Sequence, residues 1–375
     1  MAMGKKRINI LGVTGSIGLS TVKIVLSAPE LFDVHVISAH TQKDKLLTLQ
    51  KQLGATHAIC THDEGGFDRL DDVLHEDVDI TVSAITGFAG LRPLLTAIQF
   101  SKAVGIANKE PLVAAGPLVI SACRAHGTKI LPIDSEHNAI FQVFDEVQRS
   151  AIERVILTAS GGPFREWSLE QMRSATPAQA VAHPNWSMGQ KISVDSASMM
   201  NKALEVIEAH YLFDMPSDQI DVLVHPQSVV HSMVEYADGS VLSQMGASDM
   251  CTPIAYALGW PDRISTPGAR LDLSKMSALT FEPLDDEKFP AVRLSKNCID
   301  AGAVACIIMN AANEVAVDAF LKEQIGFLDI VQCVEHSLDA FDSQTKSIDK
   351  DARLEDIEAL DMDIRRIASK YIETI

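Results

Sequence analysis

The sequence predicts an α/β protein: an N-terminal parallel sheet, a central α+β segment and a C-terminal helical bundle. Three observations carry this. Short apolar runs alternate with helix-patterned stretches through the first third of the chain. From about Ser150 the texture shifts to strands, including one pair joined by a tight turn. Beyond Pro290 the patterning is helical. At 375 residues the chain is too long for one small domain. Segments 1–134, 135–259 and 291–375 are expected to be domains, with a proline-rich linker over 260–290.

The elements follow in order. "RINILGV" reads as a strand and "SIGLSTVKIVLSA" as a helix. "FDVHVISA", "KDKLLTLQKQL" and "HAIC" continue as strand, helix and strand. "DITVSAI" and "KAVGIA" are strands flanking a helical "LRPLLTAIQF". "PLVAAGPLVISACRAHG" is a helix with a glycine stop, and "KILPID" is the last strand of the series. Further on, "ERVILTAS" and "DVLVHP" read as strands. "SVVHSMVEYADGSVLSQMG" reads as a hairpin turning at Asp238-Gly239. "ASMMNKALEVIEAHYLF" reads as one helix with Met200, Leu204, Ile207 and Tyr211 on its buried stripe.

The net charge of −18 argues against a nucleic-acid partner, which needs a basic face. It does not exclude a small phosphorylated ligand held by a few local donors. The six cysteines form no CxxC pair and most sit in apolar runs, as expected of reduced, buried thiols in the cytoplasm. "INILGV" behind the basic "MAMGKKR" is too short for a signal sequence. "AGAVACIIMNAANEVAVDAF" is interrupted by Asn310, Asn313, Glu314 and Asp318, so a buried bundle helix is expected there rather than a membrane span.

"ILGVTGSIGLSTVKIV" places Gly12, Gly15 and Gly18 between a strand and a helix. Glycines there let the backbone turn tightly and approach a pyrophosphate resting on the helix N-terminus. The GxxGxxG spacing departs from GxGxxG, and a structural tight turn is the alternative. The second strand ends in "SAHTQKDK", with no acid before Asp44. NAD sites carry an acid at that point, so NADP is favoured. His40, Thr41, Gln42 and Lys43 are the candidate donors to a 2′-phosphate, although Lys43 also reads as a solvated helix-start lysine.

"ILPIDSEHNAIFQVF" puts Asp134 and Glu136 at a strand end, where period two sends both side chains to one side. Two carboxylates without a His or Cys cluster suit a hard cation, Mg²⁺ or Mn²⁺, or else a solvated loop. Glu205, on the later helix, is the third candidate ligand. Lys202, Asn201 and Ser196, near that helix's start, suit a phosphate, as does Ser160 beside two glycines in "TASGGPF".

"GVTGSIG", "ANKE", "IDSEHNAIFQ", "TASGGPFR", "HPNWSMGQKISVDSASMMNKALEVIEAHYLF" and "HPQSVVHSMVEYADGSVLSQMG" together resemble the 1-deoxy-D-xylulose 5-phosphate reductoisomerase family, over nearly the whole chain. The resemblance implies a cytoplasmic homodimer that makes 2-C-methyl-D-erythritol 4-phosphate in non-mevalonate isoprenoid synthesis. NADPH and a divalent cation, Mg²⁺ or Mn²⁺ with Co²⁺ as a further candidate, are its cofactors. It implies a Rossmann-like NADPH domain over 1–134 and a catalytic and dimerisation domain over 135–259 with a flap at 182–190. Asp134, Glu136 and Glu205 become the metal ligands. Ser135 and Glu136 touch the substrate backbone, and Ser160, Ser196, Asn201, Lys202 and Glu205 complete its site. Thr14, Gly15, Ser16, Ile17, Gln42, Asn108, Glu110 and Gly189 face the cofactor. Lys109 reaches the substrate and metal, and Lys109 and Glu136 are the candidates for proton handling. His183, Trp186 and Met188 lie on the flap, the first two as catalytic and covering residues. The carbon skeleton rearranges by retro-aldol cleavage and re-addition or by a ketol shift, before hydride transfer.

The chain departs from the family pattern twice. The family's glycine, basic residue and Asn after the second strand are replaced by His40, Thr41 and Gln42, which moves the expected 2′-phosphate contact toward Lys43. Pro111 stands where the family commonly has Ser, a benign change at a helix start.

Overall fold

Six short runs rich in Ile, Val and Leu form six parallel strands in a computed structural model that describes residues 4–182, 186, 188–341 and 353–375. The chain groups into two compact units. One comprises Met1–Pro111, Val119–Asn138 and Asp249–Arg270, the other Leu112–Leu118, Ala139–Ser248 and Leu271–Ile375.

The first unit contains β1 (Lys6–Leu11), α1 (Ser16–Ser27), β2 (Phe32–Ala39), α2 (Lys43–Leu53), β3 (His57–Cys60), α3 (Gly66–Leu74), β4 (Val78–Ser83), α4 (Leu91–Phe100) and β5 (Ser101–Ile106). It continues with α5 (Glu110–His126), β6 (Lys129–Pro132) and α6 (Ser135–Val143), although Leu112–Leu118 in the middle of α5 and residues 139–143 of α6 group with the second unit. The strands pair in parallel in the order β3-β2-β1-β4-β5-β6. The order reverses between β1 and β4, and ligands of such sheets bind beyond the strand C-termini at that point. Helices cover the sheet, so Ile8, Ile10 and Leu11 on β1 are all buried. In β2 the register skips His35: Val34 faces Ile8 and Val36 faces Asn9. The bulge frees His35 from the ladder and re-aims its side chain. Helix α3 was not expected, because "FDRLDDVL" is acidic; Leu70 and Leu74, four residues apart, supply its buried face.

The second unit is built on β7 (Ile152–Ala159), α7 (Leu169–Arg173), α8 (Pro177–Ala180), α9 (Gln190–Ala197), α10 (Met200–Phe213), β8 (Ile220–Val224), β9 (Val230–Tyr236) and β10 (Val241–Met245). Helix α11 (Cys251–Gly259) then rejoins the first unit, where Lys6 Nζ donates to the carbonyls of Leu258, Gly259 and Trp260 at 2.8–3.0 Å. An ammonium there satisfies the orphan acceptors at the helix end. The second unit resumes with β11 (Glu282–Pro283), α12 (Ala291–Ala301), α13 (Ala303–Leu321), α14 (Asp329–Ala340) and α15 (Leu354–Ile372). Its sheet runs β10-β9-β7-β8-β11, with β7 and β8 parallel and the other pairs antiparallel. The hairpin from β9 to β10 turns at Asp238-Gly239, where Gly239 takes φ +83°. Val206, Ala209 and Phe213 of α10 pack with Val155 and Leu157 of β7 in one core cluster. Helix α13 is apolar enough to cross a membrane by length and composition, yet it is mostly buried and packs against α12, α14 and α15.

The helix read over 197–213 starts at Met200, and Ala197 is the last residue of α9. Met199 takes φ +62° between α9 and α10 and turns the chain at that corner. A left-handed conformation at a bulky residue costs energy that the surrounding fold must supply. Met200, Leu204 and Ile207 are buried as expected, while Tyr211 is half-buried.

Candidate active site

In the first unit the glycine loop is shaped by contacts with its own chain. Gly12 has φ +83°, and a Cβ there would stand 2.4 Å from the Ala84 carbonyl oxygen; one on Gly18 would stand 2.4 Å from the Gly12 carbonyl oxygen. Only glycine lets β1, the end of β4 and α1 approach this closely. Gly15 is the N-cap of α1 and no side chain caps that helix end. Amides at such a helix start suit an anion. Thr14 is buried, while Ser16 is exposed and Ile17 half-buried.

At the opposite side of β4, Asn108 Nδ2 donates to the carbonyls of Ile85 at 2.6 Å and Gly87 at 3.0 Å, pinning the loop after that strand. Lys109 caps α5 and Glu110 opens it, and both are buried. Lys109 Nζ lies 2.8 Å from Asp134 Oδ2. The strand argument for Asp134 and Glu136 is corrected here. β6 ends at Pro132, and Glu136 lies in the first turn of α6. Helix geometry rather than period two keeps the two carboxylates within 4.8 Å of each other. Ser135 Oγ donates to Glu136 Oε2 at 2.5 Å.

The second unit gathers the remaining candidates. Ser160 follows β7, and Gly161 and Gly162 take φ +85° and +67°. Gly162 N donates to Ser160 Oγ at 3.2 Å, and its Cα faces the Ser196 backbone. The loop after β7 therefore lies against the last turn of α9, which carries Ser196. Sequence had placed Ser196 near the start of the following helix; the break at Met199 puts it on the preceding one. On α10, Asn201 Nδ2 and Lys202 Nζ both donate to the Glu205 carboxylate. Lys202 is 3% exposed and Glu205 1%. Charged side chains are almost never this buried unless paired.

In the segment 182–190 expected to be a flap, Trp186 is half-buried with its ring 6.2 Å from that of His231 on β9. Met188 is half-buried, and His183 lies outside the described residues. Gly189 caps α9 with φ −66°, and among the described residues nothing crowds the place of a Cβ on it. Gln42, before α2, is exposed.

Sequence reasoning missed Asp195 and Asn313. Asp195 is buried, accepts from Asn313 Nδ2 at 2.8 Å and pairs with Lys191 at 3.0 Å. It lies beside Ser196 and ties α9 to α13. The only signal was the polar residues Asn310, Asn313, Glu314 and Asp318 inside a mostly apolar helix. The structure also changes the reading of Lys43, whose ammonium binds Asp63 at 2.7 Å. A further group, His35, His57 and Glu76, has metal-ligand chemistry, but the Arg7 guanidinium stands 2.7 Å from both His35 Nδ1 and Glu76 Oε2 and already supplies the cation.

These features define a class: a dinucleotide-binding α/β oxidoreductase fold joined to a second unit with buried acid–lysine chemistry. The comparisons narrow it. The family model of 1-deoxy-D-xylulose 5-phosphate reductoisomerase matches residues 8–76 and 65–116. Models of the C-terminal domain of the same enzyme match residues 130–213 and 245–367. The 1-deoxy-D-xylulose 5-phosphate reductoisomerase of Rhodospirillum centenum is 50% identical, covering 98% of this chain and 95% of that protein. That of Zymomonas mobilis is 45% identical over 99% and 98%. The solved structure of the Zymomonas mobilis enzyme in complex with NADPH superposes with a TM-score of 0.92 at 43% identity, covering 99% of this chain and all of that one. A structure of the reductoisomerase with NADPH, fosmidomycin and magnesium gives 0.93 at 42% identity, covering 98% of each chain. The chain belongs to the 1-deoxy-D-xylulose 5-phosphate reductoisomerase family.

Proposed function

We propose that this chain converts 1-deoxy-D-xylulose 5-phosphate to 2-C-methyl-D-erythritol 4-phosphate, using NADPH and a divalent cation, in non-mevalonate isoprenoid synthesis. The observation that carries the reading is the state of the motif residues: Lys109 and Glu110 at the start of α5, and Lys202 and Glu205 in the first two turns of α10, are buried rather than spread over the surface. Structural residues of those types would be solvated.

Asp134, Glu136 and Glu205 ligate the cation in this reading. Their donor set fits one, being carboxylate oxygens without a thiol or imidazole, as Mg²⁺ or Mn²⁺ prefers. When bound, the cation polarises the substrate ketone and NADPH supplies the hydride. Lys109 forms an ion pair with Asp134, and Lys202 with Glu205. Ser160, Ser196, Asn201 and Lys202 bind the phosphate, and Ser135 and Glu136 orient the carbon backbone. Lys109 and Glu136 handle the proton that leaves the substrate hydroxyl. The segment 182–190, with His183 and Trp186, closes over the substrate and excludes water. Thr14, Gly15, Ser16 and Ile17 hold the pyrophosphate, with Asn108, Glu110 and Gly189 toward the nicotinamide end.

We keep 1–134, 135–259 and 291–375, with the linker 260–290, as the functional divisions. A cytoplasmic homodimer is part of the same proposal. β10 is the sheet edge, and Val241 and Leu242 on it are about half exposed. Apolar edge strands of this kind are covered in stable proteins. Light scattering would show the dimer.

The test is NADPH oxidation with 1-deoxy-D-xylulose 5-phosphate, run beside NADH and with EDTA. Metal-dependent turnover that EDTA abolishes is expected. In Glu205→Gln that turnover should fall by at least about a hundredfold, as for loss of a ligand. Full activity in that variant would remove Glu205 from the metal site.

A further inference from the structure

We propose that Lys45 reads the adenosine 2′-phosphate of NADPH in this chain. The inference rests on the cofactor reading above and adds the residue that decides between NADPH and NADH. In a doubly wound sheet the adenosine ribose lies between the glycine loop after β1 and the end of β2. The positions immediately after β2, His40, Thr41 and Gln42, carry no permanent positive charge. His40 Nδ1 is engaged with Thr61 Oγ1 at 3.0 Å, and its ring packs edge-on to His62. Lys43 is committed to Asp63 at 2.7 Å. An ammonium neutralised by a carboxylate has little field left for a phosphate.

Lys45 differs on each count. It lies in the first turn of α2, and its side chain reaches back across to the glycine loop, where Nζ donates to the Thr14 carbonyl oxygen at 3.0 Å. Thr14 immediately precedes Gly15, the uncapped start of α1. The ammonium is thus held between the loop that takes the pyrophosphate and the strand end that takes the ribose. Its partner among the described residues is a neutral carbonyl, with no carboxylate within ion-pair distance. A lysine has three N–H donors, so one bond to Thr14 leaves two for phosphate oxygens. A basic residue is thereby supplied in the first turn of α2 rather than directly after the strand end.

The same position could serve the pyrophosphate, common to both cofactors, and the test separates the two. Equilibrium binding of NADPH and NADH to the full chain is measured by nicotinamide fluorescence, without substrate or turnover. The variants are Lys45→Met, Lys45→Arg and Lys43→Met. Adenosine 2′,5′-bisphosphate and 5′-AMP serve as competitors. Lys45→Met should weaken NADPH and the bisphosphate by about ten- to a hundredfold, the size of a lost charge-assisted contact, and leave NADH and AMP within about threefold. Lys45→Arg should keep the preference, and Lys43→Met should change it by less than about threefold. Equal weakening of both nucleotides would assign Lys45 to the pyrophosphate and overturn the proposal. Unchanged binding in Lys45→Met, or a larger loss in Lys43→Met, would also overturn it. If the wild-type chain bound neither nucleotide, the cofactor reading itself would fall.

Discussion

The backbone of Ser196 occupies the space that a side chain on Gly162 would need: a Cβ there would stand 2.7 Å from the Ser196 carbonyl oxygen. Gly162 also takes φ +67°, which a residue with a side chain adopts at a cost. Gly162→Ala is therefore expected to lose about 1–3 kcal/mol of stability. It should push the loop after β7 away from α9. Because Ser160 and Ser196 belong to the proposed phosphate site, KM for the phosphorylated substrate should rise more than KM for NADPH. Urea unfolding and steady-state kinetics check the two parts. A variant with unchanged stability and unchanged KM would show that the loop has room to move.

Asn313 and Asp195 give a second expectation. The carboxylate of Asp195 is buried, and Asn313 and Lys191 are its partners at 2.8 and 3.0 Å. Removing one donor from a buried charge exposes its desolvation penalty. Asn313→Ala should cost about 2–3 kcal/mol in equilibrium unfolding. Asp195→Asn in the same background should recover part of that loss, because the uncompensated charge is gone. Additive losses in the double variant would mean that the two side chains do not act as a pair.

Most of the first unit was legible in the sequence because its signals are local. Alternating apolar strands, helices with glycine stops and a glycine loop between β1 and α1 each declare themselves within about fifteen residues. Most of the failures lie where a distant partner decides the outcome. Met199 is neither glycine nor asparagine, so its left-handed turn, and with it the division of α9 from α10, is imposed by tertiary packing. Asp134 and Glu136 were rightly grouped for a wrong reason, because "SEHN" opens a helix and ends the strand's period of two. Lys43 looked like the cation of choice until Asp63, twenty positions away, was seen beside it. The pairing of Asp195 with Asn313 spans more than a hundred residues, and no pattern in the chain announces it.

His35 makes the first unit sensitive to mild acid. Burial, and then the neighbouring Arg7 guanidinium, hold its pKa below the usual histidine value, with Glu76 opposing and His57 also facing the ring. Arg7 donates to Nδ1, so the neutral ring carries its proton on Nε2. The sign follows from linkage. The unfolded chain takes up this proton near pH 6.5, before the folded chain does. Stability is fully present above that value and is lost as pH falls toward the depressed folded pKa. Unfolding free energy measured from pH 7.5 to 5.5 should decline, and His35→Gln should flatten part of the decline. An identical slope in the variant would assign the acid sensitivity to other groups.

The cysteines give the last expectation. All six are buried and unbridged. Burial pushes the Cys123 and Cys298 thiols up to about 12. It pushes Cys333 to about 11, as it does Cys251, where Asp249 adds to the effect. Cys306 is driven higher still, mainly by burial, and Cys60 donates its thiol to the His40 carbonyl at 2.9 Å. The thiolate is the reactive species, so at pH 8 Cys123, Cys251, Cys298, Cys306 and Cys333 are protonated as well as inaccessible. Native protein treated with a thiol-specific chromogen should release less than about one equivalent in the time that urea-unfolded protein releases six. The rate in native protein should follow the opening of each unit and therefore rise with sub-denaturing urea. A fast stoichiometric reaction of one thiol, independent of urea, would place that cysteine at the surface and contradict the packing described for it.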